Sequence, residues 1–247
     1  MKNSSARLSV ILASPSVVAK RPPADSPWPF QFSPSDDIIA LHAACDGMEL
    51  ADGTRILGRE ESGISTKWLR DEKSLVWDDD LFIIGERDDL VIVRDLDPRG
   101  LRAGGGVLEA ATDGLESMRR VSLDIVGYLE SRLGIVDPHP APERAVRLLV
   151  PARDADGLAH VLTQAFYPGN EADAALAALT LGELLAQKGD HDAALRAFEQ
   201  YADVRMKSAR RGAQSIERAA AFRAATRVAE SAGALALADV CRDRAKG

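Results

Sequence analysis

The chain has 247 residues, 46% of them hydrophobic, and a formal net charge of −7, enough length and apolar content for one large core or two modest ones. No apolar run approaches the roughly eighteen residues that span a bilayer, so no membrane span is expected. The apolar stretch Leu8–Ala13 is too short for the h-region of a secretory leader, and a cytoplasmic protein is the expectation.

The charge is segregated. Residues 1–150 carry 18 Lys and Arg against 25 Asp and Glu, whereas residues 151–247 carry 13 of each. The excess acid concentrates between Asp36 and Asp97, with 17 acids against 7 bases. A domain of that sign repels nucleic acid and attracts basic partners. Cys45 and Cys241 lack Cys or His neighbours at metal-ligand spacing, so no zinc site is expected. Both lie in helical apolar patterns and read as small buried hydrophobes.

In chain order, residues 1–34 read as a proline-rich arm, with Pro15, Pro22, Pro23, Pro27, Pro29 and Pro34. Trp28 and Phe30 are expected to pin this arm to a core, or else to anchor a partner. Ser33-Pro34-Ser35-Asp36 then supplies helix-start chemistry. Ile38, Ile39, Leu41, His42 and Cys45 follow on one helical side, and Asp46-Gly47 ends that helix. Asp52-Gly53 turns into a short strand over 54–57, and a polar stretch with Trp68 and Trp77 comes next. Leu81–Gly85 and Leu90–Val93 are buried strands, expected to form a hairpin with a four-residue loop, Glu86 to Asp89. Val107–Ala110 is a third strand, and Val121, Ile125, Tyr128, Leu129 and Leu133 recur at helical spacing before Gly134. The expectation is an α+β domain over 35–137, with an antiparallel sheet and flanking helices. Residues 138–170, opened by Pro138, Pro140 and Pro142, read as a linker.

From 171 to 247 alanine supplies 23 of 77 residues without a strand-like run, and small residues at this density let helices pack closely. The segment Ala178 to Met206 resembles a tetratricopeptide repeat through Leu181-Gly182, Leu185, Gly189, Ala194 and Phe198, although Ala178 stands where a large aromatic is usual. Lys188-Gly189-Asp190 reads as a C-cap glycine followed by an N-cap aspartate. A second copy runs from about Ala213 to Ala245, hinged at Gly233. The fold expected is therefore α+β, followed by an all-α, tetratricopeptide-like helical hairpin region.

The segment Ser35 to Ile135 resembles the SUKH superfamily of bacterial immunity and yeast cell-wall-synthesis-regulator type. The residues that carry the likeness are Ala44-Cys45-Asp46-Gly47, Gly53 to Leu57, Leu81 to Glu86, Asp88 to Leu96, Val107-Leu108-Glu109, and the closing helix Ser122 to Leu133. The resemblance implies a protein that binds another protein, such as a toxin it neutralises.

The chemistry-bearing motifs are sparse. Asp78-Asp79-Asp80, with Asp71 or Glu72 nearby, offers carboxylates for a divalent metal, but consecutive acids on an extended backbone alternate direction, so a docking surface is preferred. Gly104-Gly105-Gly106 lacks the Lys-Ser or Lys-Thr of a phosphate loop and reads as a hairpin loop. His42, His139, His160 and His191 are scattered, with no nucleophile or acid at catalytic spacing. No catalytic residue, metal or cofactor is assigned.

The residues expected to meet a basic protein partner are Trp68, Asp71, Glu72, Trp77, Asp78, Asp79 and Asp80. In the second half Arg205, Lys207, Arg210, Arg211, Arg218, Arg223 and Arg227 face only Glu217, a segment better suited to an acidic surface than to nucleic acid. Two functional readings stand side by side: a toxin-neutralising immunity protein, and an adaptor that recruits partners through its helical repeat.

Overall fold

A computed structural model describes residues 4–25, 27–28, 34–72, 80–96, 105–111, 118–135, 140–210 and 212–246. The chain divides into two compact units, Met1–Ala141 and Pro142–Gly247.

The first unit opens with a helix rather than a bare arm. Helix α1, Ser4–Leu12, buries Leu8 and Ile11, and strand β1, Val17–Lys20, follows before most of the prolines. Trp28 packs, partly buried, against the same core; Phe30 lies outside the described residues. Helix α2, Asp36–Ala44, buries Ile38, Leu41 and His42, but Ile39 is 47% exposed and belongs to the outer side. Ser35 occupies the N-cap position without a side-chain cap bond; its hydroxyl donates to the Asp37 carboxylate instead.

Strands β2, Met48–Leu50, and β3, Arg55–Ile56, are joined by the turn at Asp52-Gly53. The Asp52 carboxylate accepts the Thr54 N–H at 2.9 Å, and Gly53 takes a positive φ. The polar stretch that follows is helical: α3 runs Arg59–Glu72. Strands β4, Leu81–Arg87, and β5, Leu90–Asp95, pair antiparallel as expected, but through a two-residue turn. Glu86 and Arg87 remain in the ladder opposite Val91 and Leu90, and Asp88 adopts the left-handed conformation that a short polar side chain tolerates.

Strand β6, Gly106–Ala111, contains the expected Val107–Ala110. Val121, expected in the closing helix, lies instead in strand β7, Arg119–Ser122. Helix α4, Ile125–Arg132, starts at Asp124, whose carboxylate accepts the Gly127 N–H at 2.7 Å and so sets the boundary. Asp37 reaches from α2 to accept the Ile125 N–H at 2.8 Å.

The seven strands form one wholly antiparallel sheet in the order β1-β2-β3-β4-β5-β6-β7. Phe82, Ile84, Ile92 and Val107 share one core with Leu8, Ile11, Ile38, Leu41, Ile125 and Leu129, which places α1, α2 and α4 over that face. Helix α3 packs on β4, where the Thr66 hydroxyl accepts the Ile83 N–H at 3.0 Å.

In the second unit the stretch 138–170, expected as a linker, carries two helices, α5, Pro142–Ala152, and α6, Ala155–Val161. Val146, Leu158 and Val161 bury against Ala177, Leu181 and Leu184 of the next helix. That helix is α7, Glu171–Gln187, followed by α8, His191–Lys207, α9, Gln214–Ser231, and α10, Leu235–Arg244. The turn between α7 and α8 has Gly189 at positive φ and Asp190 capping the Ala193 N–H at 3.1 Å. Gly233, also at positive φ, divides α9 from α10 at the anticipated hinge. The α5–α6 pair therefore adds a hairpin to the two anticipated, and it shares a core with α7 and with Ala197 of α8.

The repeat residues form the α7–α8 seam. Gly182 has no room for a side chain, because a Cβ there would run into the Phe198 ring. Phe198 and Ala194 are fully buried with Ala186, and Leu185 packs partly buried beside them.

Candidate functional site

Helix α3 presents two unlike faces. Ser62, Gly63, Thr66 and Leu69 point inward and are buried. Outward stand Ile64 and Trp68, one turn apart and 64% and 59% exposed. Glu60, Asp71 and Glu72 are exposed at the two ends of this apolar pair, with Lys67 also exposed between them. Large apolar side chains on an outer face cost solvation that the fold does not recover. Asp71 and Glu72 also sit at the negative end of the helix macrodipole, where acids are disfavoured.

Of the expected docking residues, α3 brings Trp68, Asp71 and Glu72 together. Trp77, Asp78 and Asp79 lie outside the described residues. Asp80 is half-buried just before β4, where its carbonyl accepts the Leu96 N–H at 3.1 Å. Ile64 was not anticipated; its spacing of four from Trp68 is the signal that identifies it.

An ion-pair chain fixes the start of this helix. Glu61 accepts the Gly58 N–H at 3.0 Å and pairs with Arg21 and, at 3.3 Å, with Arg55, which also reaches Glu86 at 2.8 Å. The Arg21 hydrogen bond holds the Glu61 carboxyl below the usual range. Beside it His42, buried in α2, meets Asp46 through Nδ1 at 3.1 Å. Asp46 also accepts the Arg59 N–H at 3.0 Å. The Trp28 ring stands edge-on to His42 at 4.9 Å, with the Arg59 guanidinium 4.9 Å from the Trp28 centroid.

Burial pulls the His42 imidazole below its ordinary pKa, against the Asp46 hydrogen bond and with the help of the Arg59 and Arg21 charges. As pH falls through the ordinary histidine value of about 6.5, the unfolded chain therefore gains a proton that folded His42 resists. The first unit should lose stability between that pH and the lower folded value. A melting series from about pH 7.5 to about pH 5.5 should show a smaller drop for His42→Gln than for the natural chain.

Burial also shifts two thiols and a phenol. Burial pushes the Cys45 thiol up and the Cys241 thiol up to about 11, so neither is poised as a thiolate nucleophile. Burial likewise raises the Tyr128 hydroxyl, which donates to Glu109 at 3.1 Å. Among the described residues no group of three or more His, Cys, Asp or Glu side chains is arranged to hold a metal ion, and no helix is long and apolar enough to cross a membrane.

Comparison with family models, with curated proteins and with solved structures finds no match.

Proposed function

We propose that the chain is a non-enzymatic protein-binding protein whose first unit docks a basic protein on the outer face of α3. The observation that carries this reading is the exposed Ile64–Trp68 pair set between Glu60, Asp71 and Glu72. Tryptophan ringed by charge supplies desolvated contact at the centre of an interface, while the acids steer the encounter. The likeness to the SUKH superfamily supports an immunity role, in which the basic partner is a toxin of nuclease type. The helical hairpins of the second unit favour the second reading, an adaptor that holds further partners.

The test is capture with the full chain as bait, with a Trp68→Ala/Ile64→Ala bait as the control. The expected result is a basic protein retained by the first bait and lost from the second. Trp68→Ala alone should weaken the purified pair by about 2 kcal/mol, roughly thirtyfold in Kd, without lowering the melting temperature. Association should slow between low and physiological salt, where screening shortens the field to about 8 Å. Asp71→Asn/Glu72→Gln should reduce the on-rate more than it raises the off-rate. A captured toxin that the chain neutralises supports immunity, and a regulatory protein supports the adaptor. Binding indifferent to Trp68, Ile64 and salt would overturn this docking face.

A further inference from the structure

We propose that a groove between α9 and α10 docks an extended acidic segment of a partner protein. Of the cations crowded between Arg205 and Arg227, Arg205 is taken by Glu217 at 2.7 Å and Arg218 by Asp203 at 3.3 Å. Arg211 lies outside the described residues. Arg223 and Arg227 are exposed, stand one turn apart on α9, and have no acidic partner among the described residues. Like charges at that spacing repel, so their pairing does not serve the helix.

The two arginines line a groove of about 480 Å³ with Thr226, Arg242 and Ala245, and none of these lining residues is acidic. Arg242, on α10, is held in place by Glu230 at 2.6 Å and by Asp239. The Thr226 hydroxyl is spent on the Phe222 carbonyl at 2.8 Å. The groove therefore offers two uncommitted guanidiniums beside a third that its own neighbours fix.

Guanidinium forks recognise carboxylates bidentately. Four residues of helix rise about 6 Å, close to the roughly 6.6 Å between alternate residues of an extended chain. The spacing of Arg223 and Arg227 thus matches carboxylates at alternate positions of a peptide. Nucleic acid fits less well. The second unit exposes no large aromatic ring among its described residues on which a base would stack, and the acid of the first half of the chain opposes a long polyanion.

The test uses the full chain and a fluorescent peptide of about ten residues alternating Glu and Ser, an extended segment of about 33 Å, read by anisotropy. Its Gln counterpart and an oligothymidylate of similar length serve as comparisons. The Glu peptide should bind, more weakly as salt rises, and Arg223→Gln/Arg227→Gln should weaken it at least about tenfold. Arg196→Gln/Lys207→Gln, which removes two exposed cations outside the groove, should leave binding unchanged. Trp68→Ala/Ile64→Ala should also leave it unchanged, which separates this site from the α3 face. No binding, an equal loss in both arginine and control variants, or tighter binding of the oligothymidylate would overturn the proposal.

Discussion

Phe198→Ala is expected to lower the stability of the second unit by about 3–5 kcal/mol. The ring is fully buried among alanines of α7, α8 and α9, and small neighbours cannot stretch to fill the space it leaves. A loss of that size is a large part of the roughly 5–15 kcal/mol that holds a domain together. It should appear as an earlier transition when the full chain is unfolded in urea and followed by far-ultraviolet circular dichroism. Gly182→Ala should also destabilise, by about 1–3 kcal/mol, because the added methyl meets the Phe198 ring. In the Phe198→Ala background the same methyl enters vacated space, so Gly182→Ala should cost less there. A strictly additive double variant would show that Gly182 and Phe198 do not form one seam.

The second large effect lies at the opposite end of the chain. Arg7 of α1 donates through Nε to the Glu130 carboxylate of α4 at 2.8 Å. The Glu130 side chain is only 7% exposed, so Arg7→Ala would strand a carboxylate away from water. The expected cost is about 3 kcal/mol, the lower end for a broken buried pair because Arg7 keeps some solvent contact. Arg7→Met combined with Glu130→Leu should recover much of that loss, since an apolar pair leaves no charge unanswered. A melting temperature lowered equally by the single and the double variant would show that the stranded Glu130 carboxylate is not the source of the loss.

The strands and helices with regular apolar spacing are legible in the sequence. Leu81–Gly85, Leu90–Val93 and Val107–Ala110 are buried β runs, and Gly189 and Gly233 mark the helical turns where the chain takes a positive φ. Helix α3 was hidden for a physical reason. Apart from Leu69, its inward residues Ser62, Gly63 and Thr66 are small or polar, while the large apolar Ile64 and Trp68 point outward. The periodicity that reveals a helix is thus displaced from the face that packs. The same inversion makes α3 the candidate docking surface, so Trp68, Asp71 and Glu72 could be named from the chain but not their shared face.

Helix α1 is only nine residues long, and its proline-rich sequel masked both it and β1. Helices α5 and α6 were obscured by Pro138, Pro140 and Pro151 and by their shortness. The Asp88-Asp89 turn escaped because Glu86 and Arg87 look like loop residues while serving the ladder.

The sheet order has a bearing on how the first unit is made. Each strand pairs with its sequence neighbours, so during synthesis each can find a partner that has just left the ribosome. Among the described residues helix α1 waits longest. It packs against α2 and α4, and Glu130 emerges 123 residues after Arg7. At roughly 5–20 residues per second that is a wait on the order of ten seconds with Leu8 and Ile11 lacking their final cover. Folding of this unit therefore ends when α4 covers α1. A chain shortened by its first helix would complete the meander and still leave Ile38, Leu41 and Leu129 open to aggregation.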